Sequence, residues 1–183
     1  TNNKKLSDKI KLLRENGIHS IKSKFKNLPY YPNYYEQVDT GFNFRMSEIS
    51  AALVNSQLKK LNFFVNKRNS IARTYLKFIK NPKFIFQENI KDAKSSYHLF
   101  IVKLTNQSSD QYLKIFKIFK KNKIFVNLHY KALHLNPFFE KMGFKKGQFP
   151  TSENYSYTAF SIPIFVGLGE KNIKKIISIL NNF

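Results

Sequence analysis

The stretch that most restricts how this chain folds is GFNFRMSEISAALVNSQLKKL, from Gly41 to Leu61. Gly41 gives the backbone freedom for a sharp turn, and Asn43 and Arg45 place an amide and a guanidinium on it. Directly afterwards Met46, Ile49, Ala52 and Leu53 recur at the spacing of one helix face, with Ser47 and Ser50 as start signals. The pattern predicts a corner that aims polar groups, followed by an amphipathic helix. From the residues alone two roles fit Asn43 and Arg45. They brace the helix start, or they hold an anion, because an amide donates to phosphate oxygens and a guanidinium fork matches a carboxylate or phosphate.

Periodicity divides the rest of the chain. Asn2 to Asn16 reads as a helix with Leu6, Ile10 and Leu13 on one face and Gly17 as a left-handed C-cap. From His19 to Thr40 the periodicity lapses, with Pro29 and Pro32 as breakers. Tyr30, Tyr31, Tyr34 and Tyr35 cluster there among Lys22, Lys24 and Lys26. Such tyrosines pack a loop onto a scaffold or a partner subunit, or they form a stacking platform for single-stranded nucleic acid. A second helical stripe, Leu61, Phe64, Val65, Arg68, Ala72, Tyr75, Leu76 and Ile79, runs to Asn81-Pro82, and the pattern leaves open a break near Leu58 to Lys60.

The C-terminal half alternates strands and helices. Tyr97 to Leu104 reads as a strand, and Ser108 with Gln111 forms a capping box before Tyr112, Leu113, Phe116 and Phe119. Ile124 to Leu128 and Phe160 to Ile164 are further short strands. Ile173, Ile176, Ile177 and Leu180 make a closing amphipathic helix, which completes an α+β layer.

Composition excludes several classes. With no cysteine among 183 residues, disulfides, thiol nucleophiles and Cys-type zinc sites are ruled out. No apolar run reaches the roughly eighteen residues of a membrane helix, and TNNKKLSDKIKLL lacks a signal-peptide core, so a cytoplasmic protein is expected. The net charge of +21 would suit a nucleic-acid partner. Lys and Arg are nevertheless spread from end to end, which reads as a solvated basic surface, and a basic RNA-binding module is the rival reading. No nucleophile elbow, P-loop or dinucleotide glycine motif is present, so hydrolase and nucleotide-dependent oxidoreductase readings lack residues.

His129, Tyr130, Lys131 and His134 follow a predicted strand, where a rigid scaffold sets loop residues toward a ligand. No acid or cysteine stands close enough to complete a metal set with the two histidines, so no metal site is expected. His98 falls inside a strand pattern and is expected as a hydrogen-bonded core histidine. His19 gives no signal.

The corner segment, together with SSYHLFIVKL (95–104), HYKALHLNPFF (129–139) and FPTSENYSYTAFSIPIF (149–165), resembles the DegT-type sugar-nucleotide aminotransferases in the same order, over nearly the whole chain. The resemblance implies an α/β fold-type I enzyme dependent on pyridoxal 5'-phosphate. Residues 1–45 would end its large cofactor-binding domain, 46–81 form an interdomain helical region, and 82–183 make a small C-terminal α+β domain. It implies that Asn43 reaches the cofactor phosphate of a neighbouring subunit in a homodimer, with Arg45 beside it. It also implies that His129, Tyr130, Lys131 and His134 line the sugar-nucleotide pocket, Lys131 replacing an apolar residue of many relatives. The match is nearest to the branch that uses glutamate to aminate C4 of a UDP-linked 4-keto-6-deoxy-N-acetylhexosamine for pseudaminic acid. In that family the lysine that carries the cofactor precedes a text like TNN, so a fragment lacking it, inert by itself, is expected. Relatives with histidine in place of that lysine act as dehydratases, which keeps a second activity open.

Overall fold

A computed structural model of the protein describes residues 1–19, 25–26, 34–88, 90, 92–106 and 109–183. They form two compact units, Thr1–Lys59 and Lys60–Phe183. Pro29, Pro32, Tyr30, Tyr31, Lys22, Lys24 and Ser108 lie outside the described residues.

In the first unit, helix α1 spans Lys4–Arg14. The Asn3 side chain caps it by accepting from the Leu6 N–H at 3.0 Å, and Lys11 and Arg14 lie in the last turn, the end where cations suit the helix dipole. Asn16 and Gly17 then take positive φ, 61° and 69°, and the Gly17 N–H returns to the Leu12 carbonyl at 2.9 Å. A two-residue strand β1 (Ile18–His19) pairs antiparallel with β2 (Glu36–Gln37), Ile18 opposite Gln37. Two glycines make the turn possible. A Cβ on Gly17 would overlap the Asp39 carbonyl, and one on Gly41 would overlap the backbone of Asn16 and Gly17.

Helix α2 (Glu48–Leu58) follows, with Ser47 Oγ accepting from the Ser50 N–H at 3.2 Å and Glu48 in its first turn. None of its residues is buried: Ile49 is 85% and Leu53 60% exposed. The helix ends at Leu58, and after a two-residue turn α3 (Leu61–Phe78) is the first helix of the second unit.

The second unit is a four-stranded antiparallel sheet with helices packed on it. Strands β3 (Phe84–Phe86), β4 (Phe100–Leu104), β5 (Asn127–Leu128) and β6 (Ala159–Ile162) stand in the order β3-β4-β6-β5. Val102 faces Phe160 and Phe100 faces Ile162, so period-2 alternation gathers these side chains on one face. Onto it pack Ile71, Ala72 and Tyr75 of α3, Ile115 and Phe119 of α4 (Ser109–Lys121), and Ile173, Ile176 and Leu180 of α7 (Glu170–Asn181). Two core tyrosines find acceptors: Tyr75 donates to the Pro163 carbonyl and Tyr112 to the Ala159 carbonyl, each at 2.8 Å. Burial pushes the Tyr112 hydroxyl up to about 12 and raises that of Tyr75 as well.

Between β5 and β6 lie a 3₁₀ turn (Leu133–Leu135) and the short helices α5 (Pro137–Lys141) and α6 (Pro150–Ser156), both with proline in the first turn. The sequence reading placed His98 in the core of a strand. The structure corrects this: β4 starts only at Phe100, His98 is exposed, and Tyr97, at φ 42°, is the buried neighbour. A left-handed Tyr97 cannot continue a strand, so the side-chain alternation begins after it. Among the described residues no helix is long and apolar enough to cross a membrane.

Candidate functional site

The corner of the first unit is built on the end of α1. A helix leaves its last carbonyls without intrahelical donors. Here the chain after Gly41 supplies two: the Phe42 N–H donates to the Leu13 carbonyl at 2.6 Å and the Phe44 N–H to that of Arg14 at 3.1 Å. The Asn16 N–H returns to the Phe42 carbonyl at 3.0 Å, and Glu15 forms an antiparallel bridge with Asn43. Residues 42–44 are therefore an extended segment whose backbone is satisfied by α1 and its cap.

Alternation along that segment separates two chemistries. Phe42 and Phe44 stack with centroids 4.9 Å apart and planes within 5°, and both are exposed. Arg45 Nε lies 2.8 Å from one oxygen of Glu15, and Arg14 Nε lies 3.4 Å from the other. Two guanidinium groups share one carboxylate, so the corner keeps an excess positive charge. Nearby, Lys9 donates to Asp39, which with the Thr40 N–H holds that carboxyl below its usual range. Asn43 is exposed, and its amide has no hydrogen-bond partner among the described residues. An amide with free N–H donors beside surplus positive charge fits a phosphate.

In the second unit the four histidine-loop residues separate into two kinds. His129 and His134 are buried, whereas Tyr130 is 69% exposed and Lys131 is exposed. His129 Nε2 is 2.7 Å from Ser161 Oγ on β6, and its Nδ1 is buried with no partner among the described residues. Burial, and secondarily the His98 ring, lowers the pKa of His129, which favours the neutral ring. His134 donates from Nε2 to Glu153 Oε1 at 2.8 Å. That oxygen also accepts the N–H of Gly147 at 2.7 Å and of Phe149 at 3.4 Å. These donors, His134 first, outweigh burial and lower the Glu153 pKa.

A cavity of about 470 Å³ opens beside Ser161, with His98, Lys123, Asn127 and Asn172 around an apolar floor that includes Ile176. None of His129, Tyr130, Lys131 and His134 lines it, and the nearest link is the His129–Ser161 pair. Among the described residues no group of three or more His, Asp or Glu side chains gathers as metal ligands would.

Sequence reasoning named Asn43, Arg45 and the histidine loop but missed three side chains on which they depend, Glu15, Glu153 and Ser161. Glu15 directly precedes the Asn16-Gly17 cap, so its place beside the returning chain could have been read from that turn. Glu153 follows Pro150, itself a helix-start signal, yet nothing local announces His134 as its partner.

A family model described as the DegT/DnrJ/EryC1/StrS aminotransferase family matches residues 1–181. Among curated relatives, the UDP-4-amino-4,6-dideoxy-N-acetyl-beta-L-altrosamine transaminase of Campylobacter jejuni subsp. jejuni serotype O:2 is 34% identical, covering 95% of this chain and 44% of its own length. An uncharacterized protein of Methanocaldococcus jannaschii is 29% identical over 97% of this chain and 47% of its own. Among solved structures, Helicobacter pylori PseC, an aminotransferase involved in the biosynthesis of pseudoaminic acid, superposes with a TM-score of 0.81 at 27% identity, covering all of this chain and 47% of that one. The chain thus spans about half the length of the relatives it matches.

Proposed function

We propose, from the premise that this chain belongs to the DegT/DnrJ/EryC1/StrS aminotransferase family, that its residues serve a pyridoxal-phosphate-dependent transfer of an amino group from glutamate to a nucleotide-linked 4-keto-6-deoxy sugar. A UDP-linked N-acetylhexosamine is the acceptor, by likeness to the altrosamine transaminase and to PseC. The product would enter surface glycan synthesis. The cofactor, when bound, supplies an electron sink for the amino-group carbon.

The observation that carries this reading is the exposed Asn43 amide, without a hydrogen-bond partner among the described residues, on a backbone fixed by the α1 carbonyls. An amide with no partner among the described residues suits a phosphate brought by another subunit, and the exposed Phe42, Phe44 and Ile49 around it supply apolar area for that contact. A homodimer with shared sites follows. Arg45 braces the corner through Glu15 and, with Arg14, leaves positive charge for the phosphate. In the second unit Tyr130 and Lys131 face the sugar nucleotide, an aromatic ring for the base and an ammonium for the diphosphate, while His129 and His134 anchor the segment that carries them.

No lysine in these residues is assigned to carry the cofactor; transamination by the 183 residues alone would overturn that assignment. The reading is tested with the protein encoded by the gene that carries this sequence, given pyridoxal phosphate, glutamate and the UDP-linked ketosugar. Amino sugar and 2-oxoglutarate should form in equal amounts. Ketosugar left unchanged, or converted without consumption of glutamate, would overturn it.

A further inference from the structure

The chain from His129 to Phe149 carries Tyr130 and Lys131, which face the nucleotide sugar, and the two histidines that anchor them, yet its only regular pieces are a 3₁₀ turn and the five-residue α5. One carboxylate holds it at two places. Glu153 Oε1 accepts from His134 Nε2 in the middle of the segment and from the Gly147 and Phe149 N–H groups at its end. Glu153 is 7% and His134 6% exposed, so water competes weakly for these charge-assisted bonds. The His134 ring stands edge-on to Phe149 at 4.8 Å, and Phe149 meets Phe144 at 6.3 Å, so aromatic rings pack beside His134. By contrast, Tyr130 and Leu133 are each 69% exposed.

We propose that Glu153 is a positioning residue for nucleotide-sugar binding, fixing the 129–149 segment through His134 so that Tyr130, Lys131 and Leu133 are already presented when the ligand arrives. The inference rests on the reading that this segment faces the sugar nucleotide. A segment ordered in advance loses less freedom on binding, and the affinity rises by what would otherwise be spent on ordering. Glu153 and His134 need touch no ligand atom for this effect.

Glu153→Gln keeps an oxygen that can accept from Gly147 and Phe149 but removes the charge that faces His134. His134→Gln keeps an N–H donor toward Glu153 and serves as the second variant. In the protein encoded by the whole gene, UDP-N-acetylglucosamine is titrated by calorimetry, and amide hydrogen exchange is followed at 144–149. For Glu153→Gln, exchange should quicken, the Kd should rise about tenfold or more, and kcat at saturating sugar should stay within about twofold. His134→Gln should bind more tightly than His134→Ala. Quickened exchange with unchanged Kd would overturn the inference by leaving Glu153 a purely structural brace, and so would unchanged exchange. Absence of binding by the unaltered protein would overturn the reading of the segment and the inference with it, an outcome distinct from the others.

Discussion

His129 is the residue whose charge state the fold constrains most plainly. The residue is 8% exposed, Nε2 meets Ser161, and Nδ1 has no partner among the described residues, so the folded protein disfavours adding a proton. The unfolded chain takes that proton near the ordinary histidine value of 6.5, and the folded chain only at lower pH. The unfolded state therefore binds more protons in this window, and stability falls as pH drops from about 6.5 through the lowered folded value. We expect urea unfolding midpoints to decline over that range, with a slope of at most about 1.4 kcal/mol per pH unit from this residue, and His129→Gln to remove its share. An identical slope in the variant would assign the effect elsewhere. Asn43, by contrast, contributes no hydrogen bond among the described residues, so its replacement should leave folding unchanged and act on binding alone.

Among the elements, the turn that joins α1 to the corner carries the strictest steric demand. Gly17 sits at φ 69°, a conformation costing a side-chain-bearing residue roughly 1–2 kcal/mol. The overlap of its would-be Cβ with the Asp39 carbonyl adds to that. Gly17→Ala should therefore lower unfolding stability by at least about 1–2 kcal/mol and speed exchange at the Phe42 and Phe44 amides. Gly169→Ala, where open space surrounds a Cβ but the residue caps α7, should cost only what a poorer N-cap costs and leave those two amides unchanged. This turn was legible in the sequence, as were α1, α3 and α7, because a 3.6-residue stripe and a glycine cap are local signals. The helix α2 was legible as a stripe, but its apolar residues are exposed, and a sequence does not say what covers a face. The strand β3 went unseen because three residues, Phe84–Phe86, are too few to show alternation. The strand expected over Ile124 to Leu128 shrinks to Asn127–Leu128, since only those residues find β6 partners. The helices α5 and α6 also went unread, although the prolines that open them were a usable sign. The Glu153–His134 pair joins residues nineteen apart, beyond any local periodicity.

At the scale of the molecule, the chain comprises two units of different character. Lys60–Phe183 has a continuous core of sheet and helices, while in Thr1–Lys59 neither helix buries a residue. A unit that leaves Phe42, Phe44, Met46 and Ile49 exposed calls for an apolar partner surface, in keeping with a chain that spans about half the length of its relatives. The positive charge left where Arg14 and Arg45 share Glu15, within a chain of net charge +21, favours anionic ligands at the corner.

The proposed role of the α1 end is to hold Asn43 ready for a cofactor phosphate on a neighbouring subunit. The test is the affinity for pyridoxal phosphate of the protein encoded by the gene that carries this sequence, unaltered and as Asn43→Ala, with oligomeric state and unfolding midpoint recorded alongside. Loss of one hydrogen bond to a charged group, about 1.5–3 kcal/mol, predicts affinity lower by roughly ten- to a hundredfold with oligomeric state and midpoint unchanged. Equal affinity in the two proteins would contradict the account.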